Sequence, residues 1–62
     1  MKVNVKGFEV KNLDGPISLQ ELAKQYQHNF SSPITAALVN NELKELTYVL
    51  DGDSTVEFLD MS

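Results

Sequence analysis

The chain has 62 residues, room for one domain with one small core. It contains no cysteine, which excludes disulfides and thiolate metal sites. Its formal net charge of -4 is carried with lysine but no arginine, which argues against a stand-alone nucleic-acid binder, because phosphate neutralisation leans on cationic forks.

Near the start, Val3 and Val5 alternate with Lys2, Asn4 and Lys6, and Phe8 and Val10 alternate with Glu9 and Lys11. Period-two patterning predicts two half-buried strands. Lys6-Gly7 lies between them, with Gly7 free to adopt the positive φ of a tight hairpin turn. The expected outward face of this hairpin, about Lys2 to Lys11, carries Lys2, Asn4, Lys6, Glu9 and Lys11. Asn12-Leu13-Asp14-Gly15-Pro16 is loop chemistry.

Ser18-Leu19-Gln20-Glu21 has the form of a capping box, with Ile17 and Leu22 spaced for a hydrophobic staple. Leu19, Leu22, Ala23 and Tyr26 then form one apolar stripe, while Gln20, Lys24, Gln25 and Gln27 take the wet face. The helix is expected to end near His28-Asn29, with Asn29 in the left-handed terminating conformation. So short a helix needs a sheet to cover its stripe.

Ser31-Ser32-Pro33 is a connector, after which residues Ile34 to Val39 alternate as a third strand. Asn40-Asn41 suits a tight turn, since Asn tolerates positive φ, and Glu42-Leu43-Lys44 returns as a short strand. Leu46 to Leu50 is less regular and is expected to form a loop with a helical turn. Asp51-Gly52-Asp53 turns the chain into a last strand, Thr55 to Leu59, with Val56 and Phe58 inward. One helix and one sheet must cover each other, so the expectation is a two-layer α+β domain of order ββαβ(β)β. With the last strand parallel to the first, that is the β-grasp, or ubiquitin-like, arrangement.

Three segments carry a resemblance. Val39-Asn40-Asn41-Glu42-Leu43 is similar to the turn after the third strand of TGS domains. Leu50-Asp51-Gly52-Asp53, followed by Val56-Glu57, is similar to that family's closing segment, and the capped helix with Leu22-Ala23 sits where the family has one. The sequence departs from the family at Asn41, where many members carry Gly. The resemblance covers nearly the whole chain. TGS domains are accessory modules of threonyl-tRNA synthetases, some GTPases, alarmone enzymes and uridine-kinase-like proteins. The resemblance implies a non-catalytic regulatory module of a larger enzyme that binds a regulatory ligand, RNA or a neighbouring domain. A first strand directly after Met1 and the hydrophilic ending Asp60-Met61-Ser62 suit an amino-terminal domain of a uridine-kinase-like or threonyl-tRNA-synthetase-like host.

The residues themselves offer no catalytic constellation. His28 is the sole histidine and reads as a dipole contact at a helix end. Asp51-Gly52-Asp53 lacks the further spaced ligands of a calcium loop and reads as a turn. Ser31, Ser32 and Thr47 have no adjacent base, and Gly7, Gly15 and Gly52 stand too far apart for a phosphate loop. Asn29-Phe30-Ser31 matches a glycosylation acceptor without a secretory leader beside it. Tyr26, Phe30 and Tyr48 read as core or rim packing rather than a base-stacking platform.

The candidate binding face is Lys2, Asn4, Lys6 and Lys11, which strand alternation sets on one side of the hairpin. It suits a phosphate backbone, a nucleotide or an acidic surface of a host enzyme. Its alternative is an ordinary solubilising sheet face. No cofactor or metal is expected. No apolar run approaches the roughly 20 residues of a membrane span, so the expectation is a soluble, cytoplasmic domain without membrane contact. A ubiquitin-like carrier is the competing class; it needs a Gly-Gly tail, and the sequence ends Leu59-Asp60-Met61-Ser62.

Overall fold

The computed structural model describes residues 1–61. Ser62, part of the expected hydrophilic ending, lies outside the described residues. Among these residues, β1 (Lys2–Val5), β2 (Glu9–Asn12), β4 (Ile34–Val39), β5 (Glu42–Glu45) and β7 (Ser54–Asp60) form a mixed sheet of order β2-β1-β7-β4-β5. A small second ladder joins β3 (Ile17–Ser18) to β6 (Val49–Leu50), and α1 (Leu19–Lys24) follows β3 directly. β1 and β7 run parallel at the centre, and every other pairing is antiparallel. The helix packs on one sheet face. This is the two-layer, β-grasp-like α+β architecture expected from the residue pattern.

The core lies between helix and sheet. Val3, Val5, Ala37, Val39, Val56 and Phe58 come from the strands, and Leu19, Leu22, Ala23 and Tyr26 from the helix and the turn after it. Leu50 of β6 closes one side.

The helix start is built as its cap requires. The Ser18 hydroxyl accepts the Glu21 N–H at 3.1 Å. The Leu19 and Gln20 N–H groups donate to the carbonyls of Tyr48 and Leu46, both at 2.9 Å, so the connection to β6 satisfies donors that a helix start leaves free. The Glu21 carboxylate turns to Lys24 instead of reaching back to Ser18. Of the loop expected over Leu46 to Leu50, the first part makes a hydrogen-bonded turn, with the Tyr48 N–H donating to the Glu45 carbonyl at 3.0 Å, and Val49–Leu50 joins the β3–β6 ladder.

The helix also stops earlier than the apolar stripe suggests. Gln25 caps it, and a 3-10 turn over Gln27–Asn29 completes the descent. Asn29 does not take the left-handed conformation; Asn40 and Asn41 do, at φ 50° and 70°, which makes the expected Asn-Asn turn. Asn40 supports that turn further: its Oδ1 accepts the Thr55 N–H at 2.9 Å.

Gln27 is half-buried and not on a wet face. Its amide nitrogen donates to the Ser32 carbonyl and its Oε1 accepts the Ile34 N–H, each at 2.9 Å. One side chain thus holds the connector and sets the start of β4.

Two register features decide which side chains face the helix. The first hairpin turns through three residues, Lys6-Gly7-Phe8, with Gly7 at φ 88° and the Phe8 N–H donating to the Val5 carbonyl. A two-residue turn would set Phe8 opposite Val5. The longer one sets Glu9 opposite Val5, and Lys11 opposite Val3. A shift of one residue exchanges the faces of the whole strand. Val10 is therefore 57% exposed rather than inward, and Phe8, taken into the turn, is 44% exposed at the edge of the helix side. The second feature is a bulge between Ile34 and Ala36 in the β4–β7 pairing. It changes the alternation so that Ile34, Ala37 and Val39 are all buried.

Two substitutions test this account by chemical denaturation. Phe58→Ala is expected to cost about 3–5 kcal/mol and to unfold a domain of such limited stability. Gln27→Ala leaves the Ile34 N–H without a partner in a partly buried setting and is expected to cost about 1–3 kcal/mol.

Candidate interaction surfaces

The expected lysine face is divided by the sheet. Cross-strand partners share a face, so the pairs Lys2–Asn12 and Asn4–Val10 lie on the helix-free side. Lys6 continues that side from the turn, and its Nζ lies 3.4 Å from Glu57 Oε1 on β7. Lys11 points the other way, toward the helix. Its ammonium bonds to Gln25 Oε1 and sits 5.7 Å from the centre of the Tyr26 ring. Glu9, also expected outward, accepts the Tyr26 hydroxyl at 2.7 Å. The three-residue turn is the cause of both corrections.

The same register assembles a second feature on the helix-free side. Leu38 of β4 lies opposite Leu43 of β5 and Glu57 of β7, and Ala36 lies opposite Glu45 and Leu59. Ala36, Leu38, Leu43 and Leu59 therefore form an apolar strip across three strands on a face that no other described element covers. Leu43 is 68% exposed, and the other three are half-buried by their neighbours in the sheet. An open sheet face ordinarily carries polar side chains in alternation. Here the β1–β2 half carries Lys2, Asn4 and Asn12 beside Val10, and in the other half the strip is flanked by Glu45 and Glu57. Sequence reasoning missed the strip because its members lie on three different strands; cross-strand register is the signal that groups them.

The acidic turn is occupied with structure. Asp53 Oδ1 accepts the Lys2 N–H at 2.7 Å, and Ser54 Oγ donates to the Gly52 carbonyl at 3.0 Å. A shallow groove of ≈ 270 Å³ passes beside it, between Asn40 and Tyr48. Tyr48 is 40% exposed, with the Lys44 ammonium 4.9 Å from its ring centre. Among the described residues no group of three or more His, Asp or Glu side chains could hold a metal ion. His28 is exposed on the 3-10 turn. None of the described helices is long and apolar enough to cross a membrane.

On the helix side, the ionisation of Tyr26 is strongly displaced. Burial, then the hydrogen bond to Glu9 and the charge of that carboxylate, push its phenol well above the ordinary value.

No protein-family model matches this chain, and no curated protein matches it.

The raised Tyr26 phenol has a measurable consequence. The folded state holds this proton more tightly than the unfolded chain, whose tyrosine ionises near pH ~10. Its contribution is complete below that pH and declines as pH rises above it. Alkaline titration of stability should therefore fall more steeply for the wild type than for Tyr26→Phe, whose curve lacks this component.

Proposed function

We propose that the chain is a non-catalytic accessory module of a larger enzyme and that it docks on a neighbouring domain through the helix-free sheet face. The observation that carries this reading is the apolar strip Ala36-Leu38-Leu43-Leu59, which has no covering layer among the described residues. Contiguous apolar surface on a small domain is the usual mark of an interaction site. The β-grasp-like architecture, the capped helix and the Asn-Asn turn agree with a TGS-type module, and a host of the uridine-kinase-like or threonyl-tRNA-synthetase-like kind fits that relationship.

Binding of RNA or a nucleotide receives less support from the geometry. Lys2, Asn4 and Lys6 remain on one face, but Lys6 is beside Glu57 and Lys11 lies on the opposite side. Two lysines, one of them paired, form a weak footprint on a chain of net charge -4. Domain docking uses the apolar half of the same face and needs no excess of positive charge.

The test is amide hydrogen exchange on the chain alone and joined to its catalytic partner domain. Docking slows exchange at Leu38, Leu43 and Leu59 in the joined form, and Leu43→Lys removes that difference while leaving the isolated fold intact. Equal exchange in both forms rules the reading out. Shifts confined to Lys2, Asn4 and Lys6 on titration with RNA or nucleotides would replace docking by ligand binding.

A further inference from the structure

A chain this small has little apolar surface to spare, so an aromatic ring left in water marks a place to look. Phe58, Tyr26 and Phe8 form a series that runs from the core to the surface. The centres of Phe58 and Tyr26 are 5.8 Å apart and those of Tyr26 and Phe8 are 5.1 Å apart. Phe30 flanks Phe8 at 6.0 Å. Phe58 and Tyr26 are buried, at 6% and 4% exposure, while Phe8 is 44% exposed. The last ring is thus fixed from behind and open in front.

What lies in front is an open groove of ≈ 420 Å³, lined by Gly7, Phe8, Glu9, Gln25, Tyr26 and His28. At Gly7 the lining is open, with nothing within 4 Å of where its Cβ would stand. Glu9 supplies the charge. Its Oε2 accepts the Tyr26 hydroxyl at 2.7 Å, and its Oε1 makes no hydrogen bond among the described residues. The tyrosine orients the carboxylate and leaves one oxygen available.

An aromatic face beside an oriented carboxylate selects a cation. Between the two cationic side chains the pairing favours guanidinium, which is planar, stacks on rings, sheds water more easily than ammonium and donates along its edge to a carboxylate. The chain has no arginine of its own. Its nearest cation, the Lys11 ammonium, is bonded to Gln25 and lies over the Tyr26 ring, so it occupies neither the Phe8 ring nor Glu9 Oε1. His28 stands exposed at the rim.

We infer that this groove receives an arginine side chain from a protein partner, with the guanidinium plane against Phe8 and its N–H groups on the Glu9 carboxylate. The aliphatic stem lies along Gly7 and Tyr26. The site is on the helix side of the sheet and does not depend on the docking face proposed above.

The experiment titrates the chain, labelled with nitrogen-15, with a Gly-Arg-Gly amide peptide and with its lysine and citrulline counterparts. Citrulline keeps the shape of arginine and removes its charge. The arginine peptide is expected to shift the amides of Gly7, Phe8 and Glu9 along a saturable curve. The lysine peptide should bind about tenfold more weakly and the citrulline peptide should give no saturable shift. Glu9→Gln still accepts the Tyr26 hydroxyl but lacks the charge, and should weaken the arginine response about tenfold. Phe8→Leu should weaken it several-fold, whereas Glu57→Gln on the opposite face should not change it. An equal response to lysine, an unchanged titration in Glu9→Gln, or no shift at these three amides would overturn the assignment.

Discussion

The parallel pairing of β1 with β7 is the contact on which the other layers depend. It brings Val3 and Val5 beside Val56, three side chains with at most 1% exposure, and it joins residues some fifty positions apart in sequence. The β1–β2 hairpin lies on one side of this seam and the β4–β5 hairpin on the other. Without the seam the sheet would divide into the β1–β2 hairpin, marginal in water by itself, and the three strands β7-β4-β5. The six-residue helix would fare no better alone, since a nucleus that short has too few hydrogen bonds to offset its ordering. Closing so long a loop is entropically costly, and the structure reinforces the point of closure at both ends. The Lys2 N–H is received by Asp53, and the Lys6 N–H by the Val56 carbonyl at 2.8 Å.

The main strands, the helix and their order were legible in the sequence; the short β3–β6 ladder and the phase of alternation were not. Period-two patterning identifies a strand, yet the side that faces the core depends on how many residues the preceding turn consumes. Lys6-Gly7 looked like a two-residue turn because glycine supplies the positive φ. The chain adds Phe8 to the turn, and the faces of β2 exchange. The bulge near Thr35 has the same effect within β4, where no glycine or proline announces it. Gln27 was hidden for another reason. Its role depends on a connector that returns five residues later, and helical spacing carries no information about that return.

The candidate surfaces follow from these phases. The lysine stripe would have been continuous had Val10 faced inward. Instead Lys11 and Glu9 join the aromatic side chains on the helix face, and the positive charge of the hairpin is divided between two surfaces. The apolar strip on the far side arises in the same way. Leu38, Leu43 and Leu59 are ordinary strand residues in sequence, and only the β5-β4-β7 register sets them side by side.

Exposure of this kind has an energetic meaning in a domain with so small a core. Covering a single leucine or phenylalanine side chain is worth about 1.5–3 kcal/mol, a sizeable part of the total stability of a small domain. A partner that covers Leu43 or Phe8 binds the folded state and not the unfolded chain, so its affinity adds to the stability of the fold itself. The two surfaces differ in how they would do so. The sheet strip offers area without direction, which suits a broad, dry contact with a neighbouring domain. The Phe8 groove offers one oriented carboxylate and one ring, which suits recognition of a single side chain. Either proposed contact would therefore add to the persistence of the fold itself.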